Sequence, residues 1–255
     1  MRKNDFRNYA VKHLGKNGLT VDAIAKQQTN SYLSKMHMVK ANMTPYIIEE
    51  RQMNITQLSV FDRLMMDRIL FLSGVVDDRM CDIIQAQLMF LNSVETKDIT
   101  MQLSSPGGSV LSGLAMKDVM DYIESDIATI NMGLAASMGS ILLSSGTKGK
   151  RSSLINSRVM THHVSSGTQG VIDDQRISLM ESEKYNYLLF KVLAKNCGKT
   201  FEEVHDISKR DKWFNSDEAL QFGLIDEIIG LDKNESVTTM MEGFDDYYQK
   251  YVLNK

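Results

Sequence analysis

Proline and cysteine are almost missing from this sequence, with two of each in 255 residues and a single tryptophan. Cys81 and Cys197 lie far apart, in stretches of helical periodicity, without the spacing of metal ligands. That excludes a disulfide-stapled secreted scaffold and a cysteine-built metal site, and reads both thiols as reduced packing residues. Long hydrophobic runs are missing too, so no membrane span is expected. The N-terminus carries basic residues with no continuous apolar segment behind them, which excludes a secretory signal and makes a cytoplasmic protein the expectation. No repeat or low-complexity segment stands out. The net charge of −3 gives no reason to expect a nucleic-acid partner.

What is present is ordinary in bulk and uneven along the chain. Hydrophobic residues at 43% and charged residues at 24% suit a globular protein, and 255 residues suffice for a large core. Residues 1–40 hold eight Lys or Arg against Asp5 and Asp22, so they carry +6 while the remaining 215 carry −9. Residues 1–42 are therefore read as a basic extension or removable leader, or else as a docked helical arm. From Arg79 onward helices and strands alternate: a helix over RMCDIIQAQLMFLNS, a strand at DITMQL, a break at SSPGGS, a helix from VLSGLAMKDVMDYIES and a strand at IATINM. GLAASMGSILLSSG reads as a turn and helix, and KRSSLINSRVMTHH as two short strands. A long helix follows from about Ile172 to Asn196, then FEEVHDIS, KRDKWF and a last helix ending at Gly223. Alternating strands and helices predict an α/β domain.

Four segments could carry chemistry. In GLAASMGS, Ser137 is either the cap of a tightly packed helix start or a nucleophile. A serine nucleophile needs a base, and of five histidines His13 and His37 fall in the basic extension while His205 reads as part of a solvated helix face. The pair His162–His163 ends a strand and enters a loop, where a base is both held and accessible. Acids are too numerous to select one; Asp211 reads on its own as a surface ion pair with Arg210 or Lys209. Oxyanion donors come from tight turns and helix starts, which Gly108 in SSPGGS and Met138 after the serine could supply. SSPGGS, stiffened by Pro106, reads equally as a plain strand-to-helix turn.

Taken in order, SSPGGSV, GLAASMGSILLSSGTKGKR with NSRVMTHH, and KRDKWFNSDEALQFGLIDEII resemble the proteolytic subunit of the ATP-dependent Clp protease family, over about Met43 to Ile229. The intervals of 25 residues from Ser137 to His162 and 49 from there to Asp211 also match. The resemblance implies a serine endopeptidase with Ser137 as nucleophile, His162 rather than His163 as base, Asp211 as its orienting partner, and Gly108 and Met138 as oxyanion amides, with no metal. It implies a crotonase-like ββα superhelix over residues 61–230, with a protruding handle at about 164–196. Residues 43–60 would be a mobile axial-pore segment and 231–255 a C-terminal tail. A homo-oligomer of two stacked heptameric rings is implied, with an AAA+ unfoldase as partner. That unfoldase would use the ATP and feed unfolded polypeptide, and the subunit itself would need no cofactor and would cleave short peptides alone. Arg210 and Asp174 would serve ring contacts.

The chain departs from the family pattern in three places. His163–Val164 stand where Gln-Pro is usual, so His163 could add pH dependence to activity or ring contact. Thr100 and Gln102 replace aromatics of the unfoldase-docking cleft, although Tyr122 and Ile130 still suit it. The tail ending YYQKYVLNK is longer than usual. Two rivals stay open: an acyl-CoA hydratase or isomerase on the same fold, and a ring subunit whose triad is dormant.

Overall fold

The computed structural model describes residues 46–51, 54–230 and 241–253, with backbone alone at 46–51, 54–58 and 251. The basic extension falls outside the described residues, as does the first part of the tail. The chain divides into two compact units, Met1–Val60 and Phe61–Lys255. In the first unit, the expected pore segment contains an antiparallel pair, β1 (Tyr46–Arg51) with β2 (Asn54–Ser59), in register from Tyr46 opposite Ser59 to Arg51 opposite Asn54.

The second unit is an α/β domain around one seven-stranded sheet. A short helix, α1 (Val60–Met66), leads into β3 (Ile69–Ser73), and Phe61 meets Phe71 edge-on. Then follow α2 (Asp78–Val94), β4 (Ile99–Ser105), α3 (Val110–Tyr122) and β5 (Ile127–Ala136). Next come α4 (Met138–Ser144), β6 (Arg151–Leu154) and β7 (Arg158–Thr161). The long α5 (Ile172–Cys197), α6 (Phe201–Ile207), β8 (Lys212–Phe214), α7 (Ser216–Phe222) and β9 (Glu227–Ile229) complete it. Strands β3, β4, β5, β6 and β9 run parallel in that order, and alternating positions of β3 and β4 (Leu70, Leu72, Ile99, Met101, Leu103) are buried in the core.

One irregularity sets up everything that follows. Strand β5 has ten residues and two successive partners on one side: β6 pairs with Thr129–Asn131, and β7 pairs with Leu134–Ala136. The changeover would leave backbone groups unpaired in a buried place. Asn131, fully buried, covers it by donating to the Arg158 carbonyl and accepting from the Gly133 N–H, while Ser157 Oγ donates to the Asn131 carbonyl. Strand β8 then pairs antiparallel with β7, so the sheet forks away from its parallel edge.

The sequence reading misses β3 and β9, and it ends β5 too early by assigning GLAA to a turn. The long helix begins at Ile172 and ends at Cys197, as its periodicity predicts to within a residue. Its first half is exposed nearly throughout, whereas Asn186, Leu189, Phe190, Leu193, Ala194 and Cys197 of its second half are buried. In the tail, α8 (Phe244–Tyr248) continues into a single π-helical turn, Gln249–Leu253.

Candidate active site

Ser137 sits at the abrupt junction of β5 and α4, with φ +53° and ψ −122°. A non-glycine residue there costs about 1–3 kcal/mol, and such strain persists only where the surroundings impose it. Here they do. The Ser137 N–H donates to the Met160 carbonyl, extending the β5–β7 ladder by one residue, and the Ser137 carbonyl accepts from the N–H and Oγ of Ser140. This sharp strand-to-helix turn exposes the side chain at its apex. The Ser137 hydroxyl caps nothing in α4, which sets aside the cap as one of the two sequence readings. Instead Oγ lies 2.8 Å from His162 Nε2.

The sheet register explains that distance. β7 ends at Thr161 and faces the end of β5, which places His162 beside Ser137. Thr161 is paired with Lys212 in the antiparallel β7–β8 ladder, so His162 and Asp211 stand opposite each other at the next step. His162 Nδ1 and Asp211 Oδ1 are 3.4 Å apart, longer than a good hydrogen bond. Three strand ends thus deliver a hydroxyl, an imidazole and a carboxylate in line. Asp211 makes no ion pair with Lys209, which holds Asp206 instead.

The turn after β4 closes on the same point. Val76 N–H donates to the Gly107 carbonyl and Ser109 N–H to the Val76 carbonyl, which pins residues 107–109. A Cβ at Gly107 would lie 2.7 Å from the Ala136 carbonyl and the Ser137 Cβ, so only glycine lets this turn approach the serine. The sequence reading named Gly108 and overlooked Gly107; the GG pair itself was the signal. Gly108 would clash with the Val76 carbonyl if it carried a Cβ. Among the described residues, neither the Gly108 N–H nor the Met138 N–H donates a hydrogen bond. The Met138 amide is one of the donors that a helix start leaves free. Both residues line one cavity of about 240 Å³ with Ser137 and His162. Its remaining wall is mainly apolar, from Ile141, Val164, Leu189, Phe190 and Leu193.

Other candidates separate from the site. Arg210 and Asp174 are exposed, and among the described residues neither makes a hydrogen bond or ion pair. His205 is half-exposed beside Asp206, with one side of its ring packed 5.1 Å from His163 and stacked on Phe201. His163 packs edge-on to Phe190, beside the site and not in it. Both cysteines are free, and burial above all, with nearby carboxylates at Cys81, pushes each thiol up to about 11, which keeps them out of nucleophilic chemistry. Among the described residues no three His, Cys, Asp or Glu side chains cluster as a metal site, and no helix is long and apolar enough to cross a membrane.

An ion pair missed by the sequence reading supports the site from behind. Arg151, 1% exposed, grips Asp226 through Nε and Nη2, while its Nη1 donates to the carbonyls of Ser144 and Asn196 at the C-terminal ends of α4 and α5.

The family model described as Clp protease matches residues 50–232. ATP-dependent Clp protease proteolytic subunits of Bacteroides fragilis (strain YCH46) and Bacteroides thetaiotaomicron are each 47% identical over 227 residues, covering 89% of this chain and 98% of theirs. The subunit of Porphyromonas gingivalis is 45% identical over 232 residues, covering 91% of this chain and 99% of its own.

Proposed function

This chain belongs to the Clp protease family, and from that premise we propose that Ser137, His162 and Asp211 hydrolyse peptide bonds as nucleophile, general base and orienting carboxylate. The domain has the crotonase-like fold of that family, and its activity class is serine peptidase. The acyl-CoA hydratase or isomerase alternative and the dormant ring subunit are not favoured by the match to named proteolytic subunits.

The single observation that carries the mechanism is the 2.8 Å contact between Ser137 Oγ and His162 Nε2 at a strained backbone apex. His162 Nε2 takes the hydroxyl proton as Oγ attacks the scissile carbonyl carbon. The carbonyl π pair moves onto oxygen, where the N–H groups of Gly108 and Met138 stabilise it; such donors are each worth about 10²–10³ in rate. The imidazolium then hands its proton to the departing amine, and the C–N bond breaks. Water, deprotonated by the same imidazole, releases the acyl group from Ser137. Asp211 holds Nδ1 and favours the transient imidazolium. The apolar wall favours substrates with an apolar side chain on the acyl side of the scissile bond.

The larger assembly is part of the proposal. Two stacked heptameric rings of this chain would enclose the sites, an AAA+ unfoldase would spend ATP to feed unfolded polypeptide, and short peptides would enter unaided, in the cytoplasm. Residues 43–60 would line the axial entrance, residues 231–255 would form a tail, and the exposed Arg210, Asp174 and front of α5 would make ring contacts. No cofactor is needed by this chemistry.

The experiment is covalent labelling of Ser137 by a fluorophosphonate, with cleavage of fluorogenic peptides in parallel and crotonyl-CoA as control. Labelling and cleavage are expected, both lost in Ser137→Ala. Cleavage that survives Ser137→Ala overturns the assignment.

A further inference from the structure

The base of a serine peptidase must hold its ring still relative to the nucleophile, and His162 is secured unequally on its two sides. On the N-terminal side it continues β7, which is laddered to β5 and β8. On the C-terminal side, residues 163–169 make only two hydrogen bonds among the described residues, and both go to one side chain of the handle helix. Asn186, 8% exposed, accepts the Val164 N–H on Oδ1 at 3.1 Å and places Nδ2 3.0 Å from His163 Nδ1. The backbone N–H can only donate, so it fixes the amide with its oxygen toward Val164 and its NH₂ toward His163. His163 Nδ1 is then the acceptor, and the ring proton sits on Nε2. That atom is buried beside Phe190 and His205 without a hydrogen-bond partner among the described residues.

An imidazole accepts an unmet buried N–H here because its other nitrogen closes the clamp. Asp211 cannot replace it, since its carboxylate is 3.4 Å from Nδ1 and 63% exposed.

We propose that Asn186 is a positioning residue: from the handle helix it clamps His163 and Val164 and so holds His162 against Ser137. This rests on the reading of His162 as the base. Val164 also walls the substrate cavity, so the same side chain ties the handle to both the base and the pocket.

The test uses the full chain and the rate constant for Ser137 modification by a small fluorophosphonate, which needs the base but little of the apolar pocket. Rates are taken at about pH 8.5, where imidazole is neutral. Asn186→Leu is expected to slow modification and kcat by roughly 10- to 100-fold, with KM for peptide changed far less. Asn186→Asp is expected to stay near wild type, because it keeps the acceptor for Val164 and the His163 ring can carry its proton on Nδ1 and donate to the carboxylate. His163→Gln should also stay near wild type, because its amide oxygen can accept from Asn186. His163→Leu offers Asn186 no acceptor and is expected to slow modification by roughly 3- to 30-fold, a split between Leu and Gln that a merely structural role would not give. If Asn186→Leu fails to fold, the comparison of His163→Leu with His163→Gln decides. Rates within twofold of wild type for Asn186→Leu, or equal rates for His163→Leu and His163→Gln, overturn the clamp. Absence of Ser137 labelling in the wild-type chain overturns instead the assignment on which it rests.

Discussion

Replacing Asp226 with Asn should be the most damaging conservative change outside the site. Both carboxylate oxygens are surrounded by donors: Oδ1 takes Arg151 Nη2 at 2.6 Å and Lys148 Nζ at 3.2 Å, and Oδ2 takes Arg151 Nε and the Gly149 N–H at 2.7 Å each. An amide must turn its NH₂ toward one of these donor sets, and it removes the only anion that, among the described residues, pairs with a guanidinium 1% exposed. Breaking a buried pair in this way costs about 3–5 kcal/mol. At about 2–4 °C per kcal/mol for a domain of this size, the thermal midpoint should fall by roughly 6–20 °C. Urea melts at fixed protein concentration, followed by emission of the sole tryptophan, Trp213 on β8, measure the free-energy loss directly, and a thermal scan the midpoint. Changing both partners to apolar residues, Arg151→Met with Asp226→Leu, should recover much of the loss because no buried charge is then stranded. A loss below about 1 kcal/mol for Asp226→Asn would refute the reasoning, since it would mean that water reaches Arg151 freely.

The same pair sets an acid limit. Burial pushes the Asp226 carboxyl up, but the bond to Arg151 and its charge, with the Gly149 N–H and Lys148, outweigh burial and hold it well below the ordinary carboxylate range. A carboxyl lower in the folded than in the unfolded chain gives stability that is complete above the unfolded value, about 4, and is lost as pH falls through the folded one. Stability should therefore decline below about pH 5 in the native chain, and the part due to this group should vanish in Asp226→Asn.

Three further outcomes follow from the geometry of the site. Ser137→Gly should be more stable than Ser137→Ala by about 1 kcal/mol, because glycine adopts φ +53° without strain, although both lack the nucleophile; equal urea midpoints would contradict the strain. Gly107→Ala should cost more than 1 kcal/mol and most of the peptidase activity, since its φ is +91° and its Cβ would press on Ala136 and Ser137; a fully active variant would contradict the close approach. Asp211→Asn should lower kcat by about 10- to 10³-fold, short of the 10⁴ typical of a buried orienting carboxylate, because the contact is long and the side chain exposed; either no loss or a full 10⁴ would contradict that weighting.

The helices of the domain and most of its sheet were legible in sequence because their apolar periodicity survives in the fold, from α2 through α7. The candidate residues of the site were singled out by spacing and resemblance, not by any one motif. What stayed hidden were properties of tertiary approach. Periodicity cannot say that β5 outlasts β6, that Gly107 rather than its neighbour touches the serine, or that Arg151 and Asp226, 75 positions apart, meet in the core. Asn186 was hidden for a related reason: on a long polar helix it reads as one more solvated residue until its amide is seen against Val164. Ser137 admitted two readings in sequence. Its place before a helix suggests a cap, but a hydroxyl that caps its own helix is turned away from an external base.

The chemistry of the site follows from the length of one strand. Because β5 continues beyond Asn131 after β6 has ended, its last residues are free to pair with β7, and the register that pairs Ala136 with Met160 brings Ser137 level with the end of β7. The same β7 pairs on its other side with β8, so the residue after Thr161 must face the residue before Lys212. Ser137, His162 and Asp211 are thus aligned by backbone ladders, which resist displacement better than side-chain contacts do. The exception is the chain beyond His162, where no ladder continues and a single asparagine of the handle takes over. Displacement of the handle should consequently disturb His162 before it disturbs Ser137, whose N–H remains bonded to Met160 wherever α5 lies.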